Sequence, residues 1–272
     1  MAARRLVLAA ALIGCSYPTD ETPYPGQCAP FGLLSSRPAI GERDVPTNAV
    51  IELAFSDYPD SEIAGLETIV VTSGFFRKTG AYNVDLVAKT VRYRPTTPFE
   101  PNLEYTVSVQ PHIRSLQGCT SGRLEQRSFR TGAGPAPDAP ARPVVRFETV
   151  LAIFAARCAG ATCHRRDDGG PGGGGDDGAA PPRGLSLDDE RAYDDLVGVR
   201  SAELSDLLRV APRDPARSYL LRKLLPGRDP DRPMPTVFGQ RMPPGGFPPG
   251  GAGGVADPIR AIADWIDAGA PR

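Results

Sequence analysis

Val50-Ile51-Glu52-Leu53-Ala54-Phe55 places Ile51, Leu53 and Phe55 on one face of an extended chain and Glu52 and Ala54 on the other, because successive side chains of a strand point to opposite faces. The same two-residue period returns downstream. Thr68-Ile69-Val70-Val71-Thr72 is a short β-branched run, Val91 and Tyr93 alternate with Arg92 and Arg94, and Tyr105, Val107 and Val109 alternate with Thr106 and Ser108. Turn residues divide these runs at intervals of roughly 8–15 residues, the spacing expected of a β-sandwich. The pattern fills residues 37–132.

Several pieces of this segment resemble the bacterial Ig-like domains of cell-surface proteins. They are Pro38 through Asp44-Val45-Pro46-Thr47-Asn48, then Ile51 to Ser56, Tyr93-Arg94-Pro95, Pro98 to Val107, and the closing Ser128-Phe129-Arg130-Thr131. The resemblance implies an Ig-like sandwich and names no ligand. His112, at the end of a predicted strand, reads as a surface or turn residue.

Outward from this domain the composition shifts twice. Residues 133–143 are rich in proline and form an extended, semi-stiff linker. From 144 to 272 the period becomes helical. Phe147, Val150, Leu151 and Phe154 recur at i, i+3, i+4 and i+7, the stripe of an amphipathic helix. Asp214-Pro215 and Asp257-Pro258 each read as an N-cap followed by proline at the first helical position. They predict helices from 215 to about 225 and one carrying Ile259, Ile262 and Ile266. The Gly/Asp-rich run between Asp167 and Pro182 reads as a surface loop.

In the other direction, residues 16–36 hold four prolines among small polar residues and read as a tether. Before it, Arg4 and Arg5 precede an apolar run, Leu6 to Gly14, that ends at Cys15. The run is about half the length needed to span a bilayer core and reads as a signal peptide. Leu12-Ile13-Gly14-Cys15 resembles a lipobox. That resemblance implies cleavage before Cys15, its acylation, and a bacterial lipoprotein anchored to a membrane in the periplasm or at the cell surface. An ordinary secretory signal with an incidental Cys15 is the other reading.

The whole chain has 272 residues, 40% hydrophobic and 23% charged, which is enough apolar material for two cores. Its net charge of −1 offers no basic surplus for phosphates, so no nucleic-acid partner is expected. There are five cysteines. With Cys15 lipidated and Cys158 and Cys163 close together, Cys28 and Cys119 remain as a candidate disulfide, beside the alternative of two unrelated thiols.

The motif with chemistry is Cys158-Ala-Gly-Ala-Thr-Cys163-His164. Two thiols beside a histidine suit a haem c, whose vinyls take thioethers and whose iron takes the imidazole. The spacing is two residues wider than Cys-x-x-Cys-His, and small Ala159, Gly160 and Ala161 let the loop bulge. A second axial ligand is sought among the two non-initiator methionines, Met234 and Met242, each followed by proline. A bare Cys158–Cys163 disulfide or a zinc site are the competing readings, the latter lacking a fourth ligand nearby. Residues 144–272 resemble the cytochrome c-like domains of exported proteins in Val150 to Cys158, Cys163-His164, Gly184 to Leu187, Val210 to Pro212, Asp214-Pro215, Ser218 to Leu224, Arg241 to Gly246 and Ile262 to Ala270. The resemblance implies a small all-α domain and favours Met242 as the second axial ligand, with Met234 as the fallback; by their position along the chain Leu185, Leu187, Tyr219 and Leu220 are expected to wall the cleft.

Two functions are therefore expected to compete. One is a lipid-anchored mono-haem electron-transfer protein, non-enzymatic, held off the membrane by its Ig-like spacer and serving an unknown redox partner. The alternative is a non-catalytic cell-surface lipoprotein whose cytochrome-like domain lacks haem. A peroxidase-type iron enzyme is a weaker third.

Overall fold

The computed structural model describes residues 30–138, 140–159, 164, 185–187, 189–227, 237 and 241–272. It is a β-sandwich followed by a small helical domain. The β-domain has eight strands: β1 Leu33–Arg37, β2 Ile51–Phe55, β3 Ile69–Ser73, β4 Phe76–Lys78, β5 Gly80–Asp85, β6 Thr90–Pro95, β7 Glu104–Val109 and β8 Glu125–Arg130. They form two four-stranded antiparallel sheets, in the orders β1-β2-β6-β5 and β4-β3-β7-β8.

The alternation read from the sequence sets the register. Ile51 pairs with Tyr93 and Leu53 with Val91 in one sheet. Ile69 pairs with Val109 and Val71 with Val107 in the other. All eight side chains are buried between the sheets, since a one-residue slip would turn each of them to solvent. Phe99, Tyr105 and Phe129 close one end of this core, with ring centroids 4.6–5.8 Å apart. Gly80 is required where it stands: a Cβ there would lie 2.4 Å from the Tyr93 ring and 2.5 Å from the Arg94 carbonyl oxygen.

The chain leaves β8 still attached to the sandwich. The Thr47 N–H donates to the Gly134 carbonyl at 3.0 Å, and Asn48 exchanges two hydrogen bonds of 2.9 Å with the backbone of Ala136.

The helical domain contains α1 Phe147–Arg157, α2 Arg191–Leu196, α3 Tyr219–Leu224 and α4 Pro258–Asp267. Asp257 caps α4 by accepting the Arg260 N–H, with Pro258 at its first position, as the sequence predicts. Ile262, Trp265 and Ile266 are fully buried. Trp265 packs on Phe147 of α1 (5.7 Å) and Tyr193 of α2 (6.4 Å), and its indole N–H donates to the Pro271 carbonyl at 2.9 Å. The helix expected over 215 to about 225 is broken in two. Pro215–Arg217 is a single 3₁₀ turn, and α3 begins only after Ser218, which is extended. The Ser218 hydroxyl accepts the Ala211 N–H at 2.8 Å and donates to the Asp214 carbonyl at 2.9 Å, a local alternative to helical hydrogen bonding.

The two domains are joined through one end of the sandwich. Arg260 Nη1 donates to both carboxylate oxygens of Asp85, at 2.9 and 2.8 Å, and the Asp85 side chain is only 5% exposed. The Tyr58 hydroxyl donates to the Pro226 carbonyl at 2.8 Å. Burial, then the neighbouring Asp57 carboxylate, pushes that phenol up to about 12.

Candidate functional site

The helical domain holds a partly open cavity of about 100 Å³. One wall is the end of α1, where the Cys158 N–H donates to the Phe154 carbonyl at 2.7 Å and the thiol side chain is buried. His164 is held against it: the His164 N–H donates to the Cys158 carbonyl at 3.1 Å, and the Leu187 N–H donates to the His164 carbonyl at 2.7 Å. The imidazole Nδ1 lies 3.2 Å from the Leu185 carbonyl oxygen. A carbonyl only accepts, so the neutral ring carries its proton on Nδ1 and keeps Nε2 as its acceptor. Burial lowers the imidazole below its ordinary value, against the opposing pull of the Leu185 hydrogen bond.

The facing wall is α3 and the segment beyond it. Tyr219, Leu220, Lys223 and Leu224 line the cavity from α3. Met242 is pinned beside them by its N–H, which donates to the Lys223 carbonyl at 3.0 Å, and Pro243 and Pro244 follow along the rim. Lys223 pairs with Glu203 at 3.2 Å, and the Tyr219 hydroxyl hydrogen-bonds the same carboxylate. Arg157 and Arg209 complete the charged groups of the described lining, which therefore holds three cations and one carboxylate. Arg209 Nη1 donates to the Asp195 carbonyl at 2.7 Å.

The structure brings Cys158, His164 and Met242 to this one cavity, with the expected wall residues Leu185, Leu187, Tyr219 and Leu220. Cys163, Met234, Cys15 and Cys28 lie outside the described residues. Cys119 is disulfide-bonded and 2% exposed; Cys28 is its expected partner. Sequence reasoning missed Arg157, Glu203, Arg209 and Lys223. Only Arg157, one residue before Cys158, stands next to the motif, and no local pattern marks the other three.

Residues 28–131 match the family model described as bacterial Ig-like domain. The first domain is a bacterial Ig-like domain. Solved structures overlap mainly in fold and only weakly. The L,D-transpeptidase LdtMt1 in complex with imipenem is 21% identical, with 37% of this chain and 39% of that chain covered and a TM-score of 0.29. The N-terminal part of the bacterial S-layer protein SbsC is 12% identical, covering 41% and 25%, with a TM-score of 0.32. PcoC, a methionine-rich copper resistance protein from Escherichia coli, is 19% identical, covering 38% and 99%, with a TM-score of 0.32. The chain thus spans well under two thirds of the first two. No curated protein matches it.

Haem c does not fit this site, and the expected mono-haem electron carrier is corrected. Among the described residues no three His, Cys, Asp or Glu stand together as a metal-holding group. The cavity of about 100 Å³ is smaller than the roughly 300–1,000 Å³ that drug-sized ligands need, and a haem is larger than most of those. The wide Cys158–Cys163 spacing points the same way. The expectations of a cytochrome c, of haem, of electron transfer and of metal binding go with it. The expected membrane association is corrected in one respect: no helix among the described residues is long and apolar enough to cross a membrane.

Proposed function

We propose that this chain is a non-catalytic protein of the bacterial cell surface, exported and tethered by lipid on Cys15, with a haemless helical domain. The observation that carries the reading is the disulfide at Cys119, buried within the Ig-like domain. Disulfides persist in oxidising surroundings outside the cytoplasm and are rare within it. An extracellular or cell-surface place also agrees with the bacterial Ig-like family match. The basic and apolar residues before Cys15 supply the export signal, and each acyl methylene buried in lipid adds about 0.8 kcal/mol to anchoring. The one carboxylate of the described cavity lining, Glu203, is engaged by Lys223 and Tyr219, which supports a scaffold over an acid–base catalyst.

The test is expression of the complete chain in a bacterium with a working haem-attachment system, followed by fractionation and mass spectrometry of the mature N-terminus. The expected product is colourless, sediments with membranes and begins at an acylated Cys15. Cys15→Ser is expected to release it into the soluble exported fraction. A freely soluble wild-type protein with an unmodified N-terminus, or one bearing covalent haem, overturns the reading.

A further inference from the structure

The cavity between α1 and α3 has a composition that no scaffold role requires. Its walls are largely aliphatic, from Leu185, Leu220, Leu224 and Met242. An engineered apolar cavity of roughly 150 Å³ accepts benzene, so a space of about 100 Å³ that opens at a rim suits one ring or a short branched chain. The charges are not evenly spread. Glu203 is committed to Lys223 and Tyr219, while the described lining carries an excess of cations. Arg157, at the last turn of α1, is exposed and lines the cavity, so it stands at the rim. A guanidinium there offers paired donors matched to a carboxylate.

We propose that this cavity binds a small apolar organic acid, with its ring or branched chain among Leu185, Leu220, Leu224 and Met242 and its carboxylate at Arg157. The binding is independent of where the chain resides and of its lipid, so it stands or falls separately from the surface-protein reading.

The test is an NMR titration of the full mature chain, labelled at methionine methyls, with benzoate and with its neutral isostere benzamide. The Met242 resonance is assigned by its loss in Met242→Leu. Benzoate is expected to shift the Met242 methyl saturably and to bind more tightly than benzamide. Arg157→Gln is expected to weaken benzoate about two- to fivefold, the range for a solvent-exposed ion pair, and to leave benzamide unchanged. Leu220→Trp, which fills the cavity from a partly exposed position, is expected to abolish both. The proposal fails if benzoate produces no saturable shift, if benzamide binds as well as benzoate, or if Arg157→Gln leaves their ratio unchanged. That last comparison decides the matter even if Leu220→Trp does not fold.

Discussion

Asp85→Asn in the Ig-like domain is expected to destabilise the helical domain. Asp85 sits at the end of β5 with its side chain almost wholly buried, and it takes both of its short bonds from Arg260 of α4. The amide keeps one oxygen for the Ala88 N–H, which Asp85 accepts at 3.1 Å, and for one bond from Arg260, so the local turn survives while the charge and the second acceptor are lost. Arg260 keeps Asp264 at 3.0 Å on its own helix, so its charge is not stranded. What disappears is the difference between a charge-assisted and a neutral hydrogen bond, about 1–1.5 kcal/mol. With a urea slope of about 2 kcal/mol/M, the midpoint should fall by about 0.5 M. The chain has a single tryptophan, Trp265, buried in the helical domain. Its fluorescence therefore reports unfolding of the domain that does not carry the substitution. An Arg260→Met partner completes a double-mutant cycle, in which the coupling should account for most of the loss. An unchanged Trp265 transition, with the β-sheet circular dichroism shifted alone, would refute a stabilising contact from Asp85 to the helical domain.

The remaining predictions are briefer. Non-reducing peptide mapping should join Cys28 to Cys119, and removing the bridge should cost up to about 4–5 kcal/mol for a loop of roughly 90 residues; a separate mass for either alkylated cysteine counts against the pairing. Gly80→Ala should destabilise the Ig-like domain by about 1–3 kcal/mol, because its Cβ would meet the Tyr93 ring and the Arg94 backbone; a midpoint equal to wild type would contradict that contact. His164 is held below its ordinary pKa by burial, so the fold disfavours its protonated form. The stability it lends is complete above the unfolded value of about 6.5 and is lost as pH falls from there through the lower folded value. His164→Gln should flatten that stretch of the stability–pH curve, and a curve of unchanged slope would exclude the assignment.

Strands β2, β3, β6 and β7 were legible because each carries a two-residue alternation with one buried face, whereas β1, without that alternation, lies mostly in the stretch read as a tether. Ile51, Leu53 and Phe55 are inside and Glu52 and Ala54 partly out, and no other register buries the same set. Helices α1 and α4 were legible for the matching reason, an apolar stripe at helical spacing, joined in α4 by the Asp257 cap. The break at Ser218 was not, because it depends on a hydroxyl bonding to Ala211 and Asp214 and on a tertiary bridge to Leu208. The site was half legible. The motif marked Cys158 and His164, and a proline-rich loop marked Met242. The volume between them depends on how closely α3 approaches α1, a packing quantity that no spacing rule contains. Glu203, Arg209 and Lys223 meet there from separate segments, so nothing local announced them.

The strand directions also decide where the chain enters and leaves the sandwich. Pro30 enters beside Ser56, whose hydroxyl donates to the Pro30 carbonyl, and the next turn brings Lys89 over the Tyr58 ring at 4.6 Å. Asp85 and Tyr58, which both grip the helical domain, lie at that same pole. The linker starts at the opposite pole, where Thr131 bridges Val45, and must run back along the sandwich. The molecule is therefore a jackknife and not a mast: the helical domain is folded down beside the point where the leading chain arrives. At the opposite pole, Phe75 in the turn after β3 and Phe76 at the start of β4 lie bare to solvent.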